Sequence, residues 1–203
     1  MRVVTTMFML LGVLAVSACS TTRVSLPYAA GAGGTPTAPT ASPMVSVGSF
    51  SDRRGTDPHW LGAIRGGFGN PLKTIELENT ASDVMAAAFS QALASRGLLA
   101  TGPTGRYTLS GVIQKFDCSQ YVRREAHADI VVTITEAATG KVVLDQTFQE
   151  TVVTGEGLTL DAGIFASTDD LKAVAAQALQ KVIDDVLSAP SFTGILQAAA
   201  APG

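Results

Sequence analysis

Cysteine, histidine and tryptophan are scarce in this chain: two cysteines, two histidines and one tryptophan in 203 residues. No GxSxG, HExxH or paired CxxC motif is present. The glycines at 66, 67 and 69 are followed by no Lys-Ser/Thr pair and open no helix, which excludes a P-loop and a dinucleotide fingerprint. His59 and His127 are thin material for a metal site or an imidazole base. Charge is also sparse, with 14 Lys and Arg against 17 Asp and Glu. A weakly acidic chain of this kind is a poor ligand for nucleic acid or for anionic headgroups at large. These shortages predict no catalytic residues, no metal, no cofactor and no enzymatic activity.

What is present begins at the N-terminus. Arg2 precedes the apolar run Met7 to Val16, and Ser17 and Ala18 lead into Cys19. That is the layout of an export signal ending in a lipobox. The run is too short to cross a bilayer, which needs about twenty apolar residues. Residues 1–18 are therefore expected to be removed as a lipoprotein signal peptide and Cys19 to be lipidated; an ordinary signal with a coincidental cysteine is the alternative. Two or more acyl chains anchor stably where one does not. The pattern resembles bacterial lipoprotein signals, and in the Gram-negative ones that resemblance implies, with Ser20 in place of Asp, transfer to the outer membrane facing the periplasm. Loss of Arg2 leaves 13 cations against 17 acids, a net charge of −4. Cys118 then has no disulfide partner and reads as a small buried residue.

Residues 19–43 after the signal are rich in Gly, Ala, Thr, Ser and Pro and predict a flexible linker. A single α+β domain is expected over 44–196, with a disordered tail over 197–203. Met44–Ser51 reads as a strand and Asp52–Lys73 as a long glycine-rich loop. Thr80–Gly97 reads as a helix with a capping Thr80 or Ser82 and an apolar stripe through Val84, Met85, Ala88, Phe89, Ala92 and Leu93. Arg106–Asp117, Ala126–Thr135 and Lys141–Val153 read as strands, the last two as a hairpin turned at 137–140 with Val142, Leu144 and Phe148 on one face. Glu156–Ser167 reads as a loop. A second helix starts at Ser167-Thr168-Asp169-Asp170 and ends at Pro190, with Phe192 and Ile195 stapling the tail. The order β-α-β-β-β-α predicts an α+β sandwich: a mostly antiparallel sheet with two helices on one face. The stripe around Phe89 is expected on the sheet face of Ile130, Val132 and Ile134.

Within this frame the lipobox, the Asp52-Arg53 turn, Gly69-Asn70-Pro71-Leu72-Lys73, Ala94-Ser95-Arg96-Gly97 and Ala128-Asp129-Ile130 together resemble YajG-type bacterial lipoproteins. The resemblance implies a non-catalytic domain, similar to small periplasmic α/β modules of the TolB N-terminal type that dock onto other envelope proteins. The candidate contact surface is the Asp52–Lys73 loop, with Trp60 as anchor and Arg53, Arg54, Arg65 and Lys73 around it, because Trp and Arg are enriched at binding hot spots. In the competing arrangement Trp60 and Phe68 plug the end of the sandwich. Asp169 and Asp170 read as helix-start carboxylates. His127 beside Asp129 reads as part of a solvated strand face, with a dyad as the alternative. The expected role is binding an envelope protein from a membrane anchor; a lipid- or glycan-handling accessory of an envelope transport system is the second possibility, and would need a closed apolar cavity between helices and sheet.

Overall fold

The computed structural model describes residues 20–29, 44–100, 105–155 and 167–200. Seven strands and three helices follow in the order β1 (Ser20–Val24), β2 (Val45–Asp52), β3 (Trp60–Arg65), β4 (Pro71–Leu77), α1 (Ala81–Ser95), β5 (Tyr107–Gln120), β6 (Arg124–Glu136), β7 (Val142–Thr154), α2 (Thr168–Ser188) and α3 (Pro190–Ala200). The strands form one sheet in the order β1-β4-β3-β5-β6-β7. Strand β2 lies beside the first half of β5, on the edge that β3 takes up further along. The β3–β4, β5–β6 and β6–β7 pairs are antiparallel, while β1–β4, β2–β5 and β3–β5 are parallel. The fold is α+β, with a mixed sheet.

Strand β6 sets the two faces. Ala126, Ala128, Ile130, Val132 and Ile134 are buried, whereas His127, Asp129, Val131 and Thr133 alternate with them at intermediate exposure. Helix α2 covers the first face along β6 and β7. Helix α1 lies beside it on the same face, over β2, where Phe89 stacks on Phe50 with ring centroids 5.3 Å apart. The ring of Phe50 lies over Gly111, which pairs with Val132, so Phe89 packs on the sheet face of Ile130, Val132 and Ile134 as expected, while the longer α2, with nine buried residues from Leu171 to Leu187, covers more of that same face. Thr80 and Ser167 cap the two helices by accepting from the backbone N–H of Asp83 and Asp170.

Three boundaries differ from expectation. Residues 20–29 belong to the domain: Ser20–Val24 pairs with β4, and Val24, Leu26 and Tyr28 are buried. The linker expected over 19–43 is shortened accordingly, and its remainder, 30–43, lies outside the described residues, as does most of the expected loop at 156–167. Pro190 ends α2 but also opens α3, a position where its missing N–H costs nothing. Phe192 is buried, and the tail expected to fray from 197 stays helical to Ala200.

The third difference lies in 52–73, where β3 and the start of β4 take the place of part of the expected loop. Four consecutive residues of β3, Leu61 to Ile64, are buried, so its sequence carries no period of two. Gly62 is required there, since a Cβ would collide with the carbonyl oxygen of Cys118 on the paired strand. On β7, a register shift at Ile134/Thr135 leaves Val142 exposed and Leu144 half-buried, with Phe148 and Val152 facing the core.

Candidate contact surface

The five residues expected to form one contact surface are divided between two places. Arg53 and Arg54 lie on the β2–β3 connection and Trp60 opens β3, beside the middle of β5 and the start of α1. Arg65 and Lys73 lie at the far end of the β3–β4 hairpin. From Trp60 to Arg65 the strand advances about 16 Å, so the two groups do not share one small contact.

Arg54 is a structural clamp. Its Nε and Nη2 donate to the two carboxylate oxygens of Asp52 at 2.9 and 2.8 Å, and Nη1 donates to the carbonyls of Trp60 and Phe116 at 2.7 and 2.9 Å. Nη2 also reaches the carbonyl of Pro58 at 3.1 Å. The guanidinium is 4 % exposed and its donors are spent inside the domain, which corrects the expectation that Arg54 faces a partner. Those hydrogen bonds hold the Asp52 carboxyl below its usual range against the opposing effect of burial. Arg53, its neighbour, is exposed, and Trp60 is half-buried.

The hairpin end is different. Residues 66–70 make a tight turn in which Gly66 N–H donates to the Asn70 carbonyl and Gly69 N–H to the Gly66 carbonyl, with Gly69 at a φ of +80°. Phe68 projects from this turn fully exposed. The parallel pairing of Ile64 with Gln120 brings the β5–β6 turn alongside. There Tyr121 and Val122 are each 46 % exposed, and the Tyr121 hydroxyl donates to the Gly67 carbonyl at 2.8 Å. Arg65 donates to the Gly69 carbonyl at 3.1 Å, and Arg123 pairs with Glu125 at 3.2 Å. Three large apolar groups thus stand in water on two cross-linked turns. Phe68 is no plug. Sequence reasoning missed Tyr121 and Val122; the available signal was a hairpin turn made of Tyr-Val-Arg, without Gly, Asn, Asp or Pro.

The other polar clusters stitch elements together. His127 sits between Asp117, 2.9 Å from Nδ1, and Glu125, 2.8 Å from Nε2, so its partners come from β5 and β6 and are not Asp129. Asp184 on α2 accepts from the Tyr28 hydroxyl and from Arg96, both at 2.7 Å, which ties residues 20–29 to both helices. Burial pushes the Asp184 carboxyl upward, and the hydrogen bonds from Tyr28, Arg96 and Gln180 outweigh it, leaving a net lowering. Arg124 meets Asp170 at 2.8 Å. Among the described residues, no group of three His, Cys, Asp or Glu is arranged to hold a metal, and no helix is long and apolar enough to cross a membrane. An open groove of about 180 Å³ runs between residues 24–28 and α1, lined by Leu26 and Val84 but also by Glu78, Asn79 and Asp83. That is below the ~300–1,000 Å³ of sites enclosing a small molecule. Cys19 lies outside the described residues.

In comparisons with solved structures, the chain is similar to a DUF330-family protein from Xanthomonas campestris, at 17% identity and a TM-score of 0.65, over 88% of this chain and 99% of that one. A second similar structure, of an uncharacterized protein, is 10% identical with a TM-score of 0.54, over 87% and 98% of the two chains. A minor lipoprotein from Acinetobacter baumannii is 10% identical with a TM-score of 0.37, over 78% and 92%. For the first two, at these identities, the likeness extends to the fold alone. No family model matches the chain, and neither does any curated protein; the resemblance to YajG-type lipoproteins rests on its motifs.

Proposed function

We propose that this chain is a non-catalytic lipoprotein of the cell envelope, anchored through acyl chains on Cys19 to the outer membrane, whose periplasmic α+β domain binds an envelope protein. The observation that carries the anchoring is the lipobox Val16-Ser17-Ala18-Cys19 behind the apolar run Met7 to Val16, and the placement of β1 says what such an anchor would hold. The residue after Cys19 enters the sheet directly, at the β4 register Ser20–Lys73, so an anchor at Cys19 would fasten the folded domain itself to the membrane. The protein-binding part is supported by exposed Arg53 and half-buried Trp60, on either side of a connection that Arg54 ties to β3 and β5 through the Trp60 and Phe116 carbonyls. The polar clusters described above serve as ties between elements, which favours contact over chemistry as the domain's task.

The test combines fractionation with crosslinking in living cells. Cys19→Ala is expected to abolish acylation and lipoprotein-type cleavage, and a photo-crosslinker at position 53 in the unaltered background is expected to capture one envelope protein. A Cys19→Ala chain that matures to the same size and stays with membranes would refute the anchor. An acylated chain that captures nothing from position 53 or from position 60 would refute the partner surface.

A further inference from the structure

We infer that the end of the sheet carrying Phe68, Tyr121 and Val122 rests on the lipid leaflet that holds the acyl chains of Cys19, an inference that rests on the anchoring proposed above. The argument is one of register. Strand β1 runs parallel to β4, and its first residue, Ser20, pairs with Lys73, two residues into β4. A peptide unit places the Cys19 Cα about 3.8 Å from that of Ser20. The chain therefore enters β1, at Ser20, at the end of the sheet where the β3–β4 turn carries Phe68.

All the other strand ends agree on this polarity. The end that holds residues 66–70 also holds the β5–β6 turn at 121–123 and the last residues of β7, where Val153 is 43 % exposed beside Glu125. Four of the five large apolar residues exposed among the described residues, Phe68, Tyr121, Val122 and Val153, thus gather at the end nearest the anchor; Val142 lies near the other. Aromatic side chains with one wet edge favour the bilayer interface, and amphipathic elements seat their apolar groups some 5–10 Å into it. Arg65, bonded to the Gly69 carbonyl, and Arg123, paired with Glu125, flank the turns. A protein partner at this end would have to enter the space between domain and leaflet that so short an attachment leaves, which is why the leaflet is the favoured occupant.

The experiment uses the lipidated full-length protein in phosphatidylethanolamine–phosphatidylglycerol vesicles. Asn70→Cys places a thiol on the apolar turn and Thr139→Cys places one on the β6–β7 turn at the opposite end; each is labelled with an environment-sensitive fluorophore. Cys118 is buried and stays unlabelled. The label at 70 is expected to shift to the blue and to lose several-fold in quenching by aqueous iodide on vesicle binding, with the label at 139 unchanged, and Phe68→Asp is expected to restore quenching at 70 while sedimentation with vesicles persists. Equal quenching at 70 and 139 in acylated, vesicle-bound protein would overturn the orientation and leave the anchoring intact. Absence of acyl mass would overturn both. Shielding at 70 in isolated cell envelopes but not in vesicles would assign this end to a protein and overturn the inference.

Discussion

Replacing Arg54 should damage folding, and its size can be worked from the contacts. The side chain makes five hydrogen bonds of 3.1 Å or shorter, two to the Asp52 carboxylate and three to backbone carbonyls of Trp60, Phe116 and Pro58. Side-chain exposure is 4 % for Arg54 and 15 % for Asp52, so the pair is largely shielded from water. Removing one partner of a buried ion pair costs about 3–5 kcal/mol, because the other charge and the carbonyls are left unpaired. Arg54→Ala is expected to fall in that range. Arg54→Lys keeps the charge but loses the planar fork, and should cost about 1.5–3 kcal/mol, comparable to one charged hydrogen bond. Urea unfolding of the Cys19→Ala chain, followed by circular dichroism, measures both. The acid limb adds a second readout. Because the Asp52 pKa is lowered in the folded state, its contribution is complete above the unfolded value near 4 and is lost as pH falls through the folded one. In Arg54→Ala that part of the acid sensitivity should vanish. A loss below about 1 kcal/mol, the range of exposed ion pairs, with an unchanged acid limb would refute the clamp and return Arg54 to the surface.

Phe89→Ala removes a fully buried ring stacked on Phe50 and should cost about 3–5 kcal/mol, against about 1–2 for His127→Ala, which leaves the half-buried Asp117 and Glu125 without the group between them. Equal costs in one denaturant series would mean that the covered sheet face has been misassigned. Cys118 is 1 % exposed, and burial, followed by the charge of Asp117, pushes its thiol up to about 12; iodoacetamide should leave the native protein unmodified at pH 8 and alkylate it once in 8 M-range urea, and rapid native modification would contradict the burial.

The elements legible from residue pattern were those with one wet face. Strand β6 alternates residue by residue, and α1 and α2 carry both a stripe and a capping hydroxyl, so their spans and buried sides could be read directly. Strand β3 could not be read this way, because neighbours on both faces erase the alternation and Gly62 mimics a loop signal. Residues 20–29 failed for a related reason: Ser20, Thr21 and Thr22 sit on an edge, where polar side chains are tolerated, and only Val24, Leu26 and Tyr28 reach the core. Of the candidate contact residues, Arg53 lies on the expected connection and Trp60 opens β3, but nothing in the order of residues reveals that Arg54 turns inward or that the turns bearing Phe68 and Tyr121 are bonded to each other, since both facts depend on pairing between distant strands.

Strand β1 also has a mechanical meaning. Force applied at the N-terminus along the strand axis loads the five β1–β4 partners together in shear rather than one at a time. Behind them the Tyr28–Asp184–Arg96 bonds act as a second stop. If both yield, residues 20–29 are released and supply up to about 35 Å of chain. The domain therefore carries its own reserve of slack, folded away at the sheet edge and let out only under load.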